Sequence, residues 1–124
     1  MKPISESDKE TIYNNFHATV NLSAAQLVAW LDTKESQSVG IYRGTTNRKK
    51  TSIDEIESIG HESGRRTVML LSVDRQSLDD DDYRHMKRVS GYIRRHQAQV
   101  PRKSDIRTSR WRYSLMNWGH DPLK

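Results

Sequence analysis

An all-α fold is what the sequence predicts, as a single compact domain of about five or six short helices. Three observations carry that expectation. Apolar residues recur at three- and four-residue spacing along most of the chain, Ser and Asp stand where helix caps are needed, and no pair of alternating segments suggests a hairpin. A length of 124 residues suits one domain, 1–124. With 33% hydrophobic and 30% charged residues, its core is modest, so part of the chain is expected to be loop or tail.

Taken in order, residues 1–7 read as a flexible N-terminus. Ser7 and Glu10 have capping-box spacing, and Ile12, Tyr13, Phe16 and Val20 then follow a helical stripe, predicting a first helix over about 8–20. Ser23 can cap a second, Ala24 to Asp32, with Leu27, Trp30 and Leu31 facing inward. Residues 34–51 are polar, and Gly40, Gly44 and Arg48-Lys49-Lys50 mark them as a loop, above all over 40–51. Ser52 and Glu55 repeat the capping-box spacing before Ile53, Ile56 and Ile59. Gly60 and Gly64 bracket His61-Glu62-Ser63, predicting a break there and a further helix, capped by Ser63, that carries Arg65 to Val73.

Asp79 to Asp82 place negative charge at the start of the next helix, where the macrodipole favours it, and Pro101 closes that helix. The last element begins near Thr108 or Ser109 and ends at Gly119, a natural C′ residue, with Pro122 as a stop beyond it. Trp111, Leu115 and Trp118 lie at i, i+4, i+7 and predict a buried stripe docked on the helix of 80–99. Stacking of Trp111 on bases, flanked by Arg110 and Arg112, is the alternative, and the helical spacing argues against it. His120-Asp121 suggests a C-terminal lock in which the carboxylate orients the imidazole.

Charge is the most informative feature of this chain. Residues 1–64 sum to −2 and residues 65–124 to +7, and the stretch from Arg84 to Arg112 holds ten Lys or Arg against one acid, Asp105. At about 100° per residue, Arg84, Lys87, Arg88, Arg94 and Arg95 fall within an arc of about 120°, with Gly91 in its middle. Met86, Val89, Ile93 and His96 fall opposite, and Val100 continues their line. A solvated helix face is the plain reading of such an arc, but such faces usually mix signs to gain i,i+4 pairs. An arc of cations alone points to a polyanion.

Other chemistries find little footing. There is no cysteine, which removes disulfides, thiolate zinc sites and cysteine nucleophiles. His61-Glu62 lacks the second histidine of H-E-x-x-H, because position 65 is Arg. His85 and His96 stand about 16 Å apart along one helix and cannot share a metal. Gly60 to Gly64 lacks the G-K-[ST] ending of a phosphate loop, and Ser63 has no nucleophile elbow around it. No apolar run is long enough for a bilayer, and no signal-peptide core follows Met1. The expected location is intracellular: cytoplasm or nucleoid in a bacterium, nucleus in a fungus.

Several longer motifs stand out together: Trp30-Leu31-Asp32-Thr33-Lys34-Glu35-Ser36, Gly60-His61-Glu62-Ser63-Gly64-Arg65-Arg66, Asp82-Tyr83-Arg84-His85-Met86-Lys87-Arg88-Val89, and Arg110-Trp111-Arg112-Tyr113-Ser114-Leu115-Met116-Asn117-Trp118-Gly119-His120-Asp121-Pro122. This combination resembles a small domain-of-unknown-function family of microbes and fungi whose members are often labelled simply as DNA-binding proteins. The resemblance covers about residues 10–124. It implies a DNA-binding role and carries no catalytic or binding residue over to particular positions.

The resulting expectation is non-catalytic binding of nucleic acid, duplex DNA before RNA, largely through phosphates. Arg84, Lys87, Arg88, Arg94 and Arg95 are the expected contacts, with Arg65, Arg66, Arg102, Lys103, Arg107, Arg110 and Arg112 as further candidates. Arg65 and Arg66, in the first turns after Ser63, would hold a phosphate at a helix N-terminus or else pair with Glu57 or Glu62. No cofactor, metal or membrane is expected. A helical adaptor for an acidic protein partner is the alternative, and after it a small enzyme acting on a phosphorylated metabolite.

Overall fold

Short polar side chains set where the helices start. Ser5, Ser23, Thr33, Ser58, Asp79 and Ser109 each accept a main-chain N–H three residues on. In the computed structural model, which describes residues 2–40, 58–102 and 105–124, they open six helices. These are α1 (Glu6–Thr19), α2 (Ala24–Leu31), α3 (Lys34–Gln37), α4 (Ile59–Ser72), α5 (Asp80–Gln97) and α6 (Arg110–Asn117), with a 3-10 turn at Arg75–Ser77. No strand occurs among the described residues, so the fold is all-α. The expected helix start at Ser52, the Arg48-Lys49-Lys50 tract and Lys103 lie outside the described residues.

Two helix pairings build the body, one parallel, with Ile4 and Lys9 at Asp80 and Asn15 at Arg94, and one antiparallel, with Leu31 at His61 and Gly64. α1 lies along α5, α2 lies along α4, and α6 touches α2, α3, α4 and α5. Ile12, Phe16 and Val20 of the first pair meet Met86, Val89 and Ile93 in the main core, which α6 and its cap complete with Leu115 and Trp118. Leu22, Leu27 and Leu31 form a second cluster, with Trp30, Val68 and Met116 packed on it. Phe16, Leu27, Met86, Ile93 and Leu115 are fully buried, each contributing about 1.5–3 kcal/mol from apolar burial.

Four expectations about helix boundaries need correction. α1 starts at Glu6 behind Ser5, because Ser5 Oγ rather than Ser7 reaches back to the Asp8 N–H, and Ile4 N–H is tied to Asp80 Oδ2 at 3.3 Å. Residues 34–37, read as loop, form one helical turn capped by Thr33, which delivers Ser36 to the interior. α5 ends at Gln97, so Val100 does not extend the apolar line and is exposed.

The fourth correction matters most. No break falls at Gly60–Gly64: α4 runs through both glycines from its cap at Ser58. They serve packing. A Cβ on Gly60 would stand 2.8 Å from the Trp118 indole nitrogen, and one on Gly64 would overlap the Asn117 carbonyl oxygen and the Leu31 side chain. Glycine here lets α4 approach α6 and α2 closely, which local sequence alone presents as a turn signal.

The C-terminus is locked into the body. Gly119, at φ +100°, ends α6 with its N–H on Met116 O and the His120 N–H on Leu115 O, both 3.0 Å, a Schellman closure. Gly119 O then accepts the Asn21 and Leu22 N–H groups. Asp121 orients Arg112 rather than His120: its two oxygens take Arg112 Nε and Nη2 at 3.1 and 3.0 Å. His120 instead uses Nδ1 on Thr19 O at 2.7 Å.

Candidate nucleic-acid interface

The 18 residues of α5, about 27 Å long, carry the basic arc. The sequence fixes its rotation. Tyr83, His85, Met86, Val89, Ser90 and Ile93 are buried, which leaves Lys87, Arg88, Arg94 and Arg95 exposed. Asp79 and Asp82 close a capping box at its start.

Acids of that first turn neutralise part of the arc. Arg84 lies 2.8 Å from Asp81 and 4.0 Å from Asp80, so the charge at position 84 is shared. Lys87, Arg88, Arg94 and Arg95 make no ion pair among the described residues. Arg94 donates to Asn15 Oδ1 of α1 at 3.1 Å, and the Arg95 guanidinium lies over Gly91. The four therefore form a contiguous, uncompensated cationic face on a rigid helix.

The remaining candidates divide. Arg65 and Arg66 sit in the middle of α4, not at a helix N-terminus, and they diverge: Arg65 borders the α2–α4 groove with Asp32 and Val68, while Arg66 faces α5. Arg66 Nη2 meets Asp82 Oδ1 at 3.3 Å; Glu57, one of the alternative partners for these arginines, lies outside the described residues. Arg107 closes on Asp105 at 2.9 Å, and Arg112 is committed to Asp121 and to the Arg107 carbonyl. Arg102 and Arg110 are exposed with no ion pair among the described residues.

Beside the basic face lies a notch of about 80 Å³ lined by Ile59, Glu62, Ser63, Arg66, His85, Arg88 and Trp118. At its floor Ser63 Oγ and His85 Nε2 stand 3.1 Å apart, both residues buried. Burial, then the Arg66 charge, and Arg88 further off lower the His85 pKa to about 4, so the ring is neutral at pH 7. Its Nδ1 is buried without a hydrogen-bond partner. Sequence reasoning weighed Ser63 as a helix cap and His85 as a metal ligand, and it did not bring the two together. The signal was present in the i, i+4, i+7, i+11 spacing of His85, Val89, Tyr92 and His96, which puts His85 on the inward side of α5.

The aromatic residues serve the core. Trp118 stacks on Tyr92 with centroids 4.2 Å apart, Tyr92 on His96 at 5.2 Å, and half-buried Trp111 donates its indole N–H to His96 O at 2.7 Å. Burial lowers the His96 pKa and raises that of Tyr92. Among the described residues no group of three acids or histidines is placed to hold a metal, and no helix is long and apolar enough to cross a membrane.

Fold and surface define a class: a small helical domain, locked by its C-terminal motif, that presents one basic helix. Residues 15–116 match the family described as proteins of unknown function, DUF3140, and the chain belongs to that family. No curated protein and no solved structure matches it.

Proposed function

We propose that this protein binds nucleic acid, duplex DNA before RNA, through the outer face of α5, and that it does so by binding rather than catalysis. The observation that carries the reading is the row Lys87, Arg88, Arg94 and Arg95, four exposed cations with no acid against them on a helix whose back is buried. Uncompensated cations on a fixed helix release counterions when phosphates replace them, and this supplies sequence-independent affinity. A helix is also the element that fits the major groove of B-DNA, about 12 Å wide. The contacts are to phosphates, so they set position more than sequence preference.

Arg88→Glu with Arg95→Glu tests the reading. Both side chains are exposed, so the double variant should melt as the parent does while duplex affinity collapses in an anisotropy titration. Unchanged duplex binding by the folded variant overturns it. Capture of one acidic protein, insensitive to nuclease and lost in the same variant, would favour an adaptor instead.

A further inference from the structure

We propose that the notch between α4 and α5 is a phosphate subsite, in which the Ser63 hydroxyl and the Arg66 and Arg88 guanidinium groups hold one phosphate of the nucleic-acid backbone. The assignment of that phosphate to a nucleic acid rests on the function proposed above; the notch itself does not.

Cations reach the notch from two helices, Arg66 from α4 and Arg88 from α5, against an apolar wall of Ile59 and Trp118. Arg88 has no acid partner among the described residues. Arg66 gives Asp82 a single 3.3 Å contact, which leaves most of its five N–H donors for another acceptor. Glu62 also lines the notch, and Asp82 lies beside Arg66. A volume of about 80 Å³ equals two or three waters at about 30 Å³ each, room for one phosphate group.

Ser63 supplies the third donor, and His85 determines that it does. A neutral imidazole carries one N–H, and His85 Nδ1 is buried without a partner. An orphaned N–H is rarer in proteins than an under-used acceptor, so the proton belongs on Nε2 and the bare lone pair on Nδ1. Nε2–H then donates to Ser63 Oγ across 3.1 Å, and the serine proton is left without an acceptor at the floor of the notch. An anion there receives it. His85 is thus a positioning residue, and burial, helped by the Arg66 and Arg88 charges, keeps it neutral.

The test uses the full chain labelled with ¹⁵N, at pH 7, titrated with sodium phosphate and with sodium chloride at matched ionic strength. Phosphate should move the His85 ring and Arg88 Nε–H signals saturably and chloride should not; equal responses overturn the subsite. Arg88→Gln should weaken phosphate binding about tenfold or more, as expected for a lost charged hydrogen bond, and Ser63→Ala should weaken it while leaving the fold intact. A short duplex should move the same His85 signals. Duplex binding that leaves His85 unmoved overturns the subsite and leaves the function of α5 standing. Phosphate binding in a protein that binds no duplex overturns the backbone assignment and the proposed function, and identifies the notch as a site for a small phosphorylated solute.

Discussion

Trp30 donates its indole N–H to Asn117 Oδ1 at 2.7 Å, and the same oxygen takes the Ser36 hydroxyl at 2.5 Å. Asn117 Nδ2 returns a bond to the Ser36 carbonyl at 3.0 Å. One fully buried amide thereby joins α2, α3 and α6, the last residue of α6 being its source. Leucine has the branched skeleton of asparagine in a bulkier form and satisfies none of these groups. Asn117→Leu should lower unfolding free energy by about 2–5 kcal/mol, since each stranded buried polar group costs about 1–3 kcal/mol. Urea denaturation measures it, and a loss below about 1 kcal/mol would show that α3 rearranges freely.

Three helical glycines should respond in opposite directions to alanine. At Gly64 the new methyl overlaps the Asn117 main chain and Leu31, so Gly64→Ala should destabilise by at least about 1–3 kcal/mol, as overpacking does. Gly60→Ala should do so less, because the Trp118 ring can tilt. At Gly91 the methyl meets only the end of the Arg95 side chain at 3.2 Å, so Gly91→Ala should stabilise by up to about 1 kcal/mol through helix propensity. Thermal melts of the three variants decide the order; a stabilising Gly64→Ala would refute the close α4–α6 approach.

Those glycines also mark the limit of what the chain discloses about itself. Caps at Ser23, Asp79 and Ser109 and the inward stripes of α1, α2, α5 and α6 follow local periodicity, and they were legible. Gly60 and Gly64 were not, because glycine as turn former and glycine as close-packing residue look alike until the partner helix is placed. The basic face of α5 was legible for the same reason its apolar back was. Pairing was not: Arg66 with Asp82 and Arg112 with Asp121 join positions 16 and 9 apart whose proximity arises only from the tertiary fold. Ser63 and His85 meet across two helices, and no spacing in either helix signals the other.

Acid should unfold the domain in two stages. Burial, with the neighbouring Arg66 charge, depresses His85 from 6.5 to about 4, and burial lowers His96 and His17 as well. These rings take up protons more readily in the unfolded chain, so their contribution is complete above about pH 6.5 and is lost progressively as pH falls towards 4. Carboxylates follow. Burial raises Asp121 but the Arg112 hydrogen bonds outweigh it, so its pKa lies below normal and its stabilisation is lost only in more acidic solution. Melting temperature against pH should decline from about 6.5 downward. A profile flat to pH 4 would mean that His85 is not enclosed.

The central claim, that α5 is a phosphate-binding face, meets its most direct test in the salt dependence of duplex affinity. Four contacts from Lys87, Arg88, Arg94 and Arg95 give a slope of log K on log[salt] of about −4, and adding Arg102 and Arg110 brings it to about −5. An anisotropy titration of one labelled duplex across a range of salt concentrations should return a slope in that interval, with unrelated sequences binding within about tenfold of one another. A slope near zero, or no binding at low salt, would contradict the account.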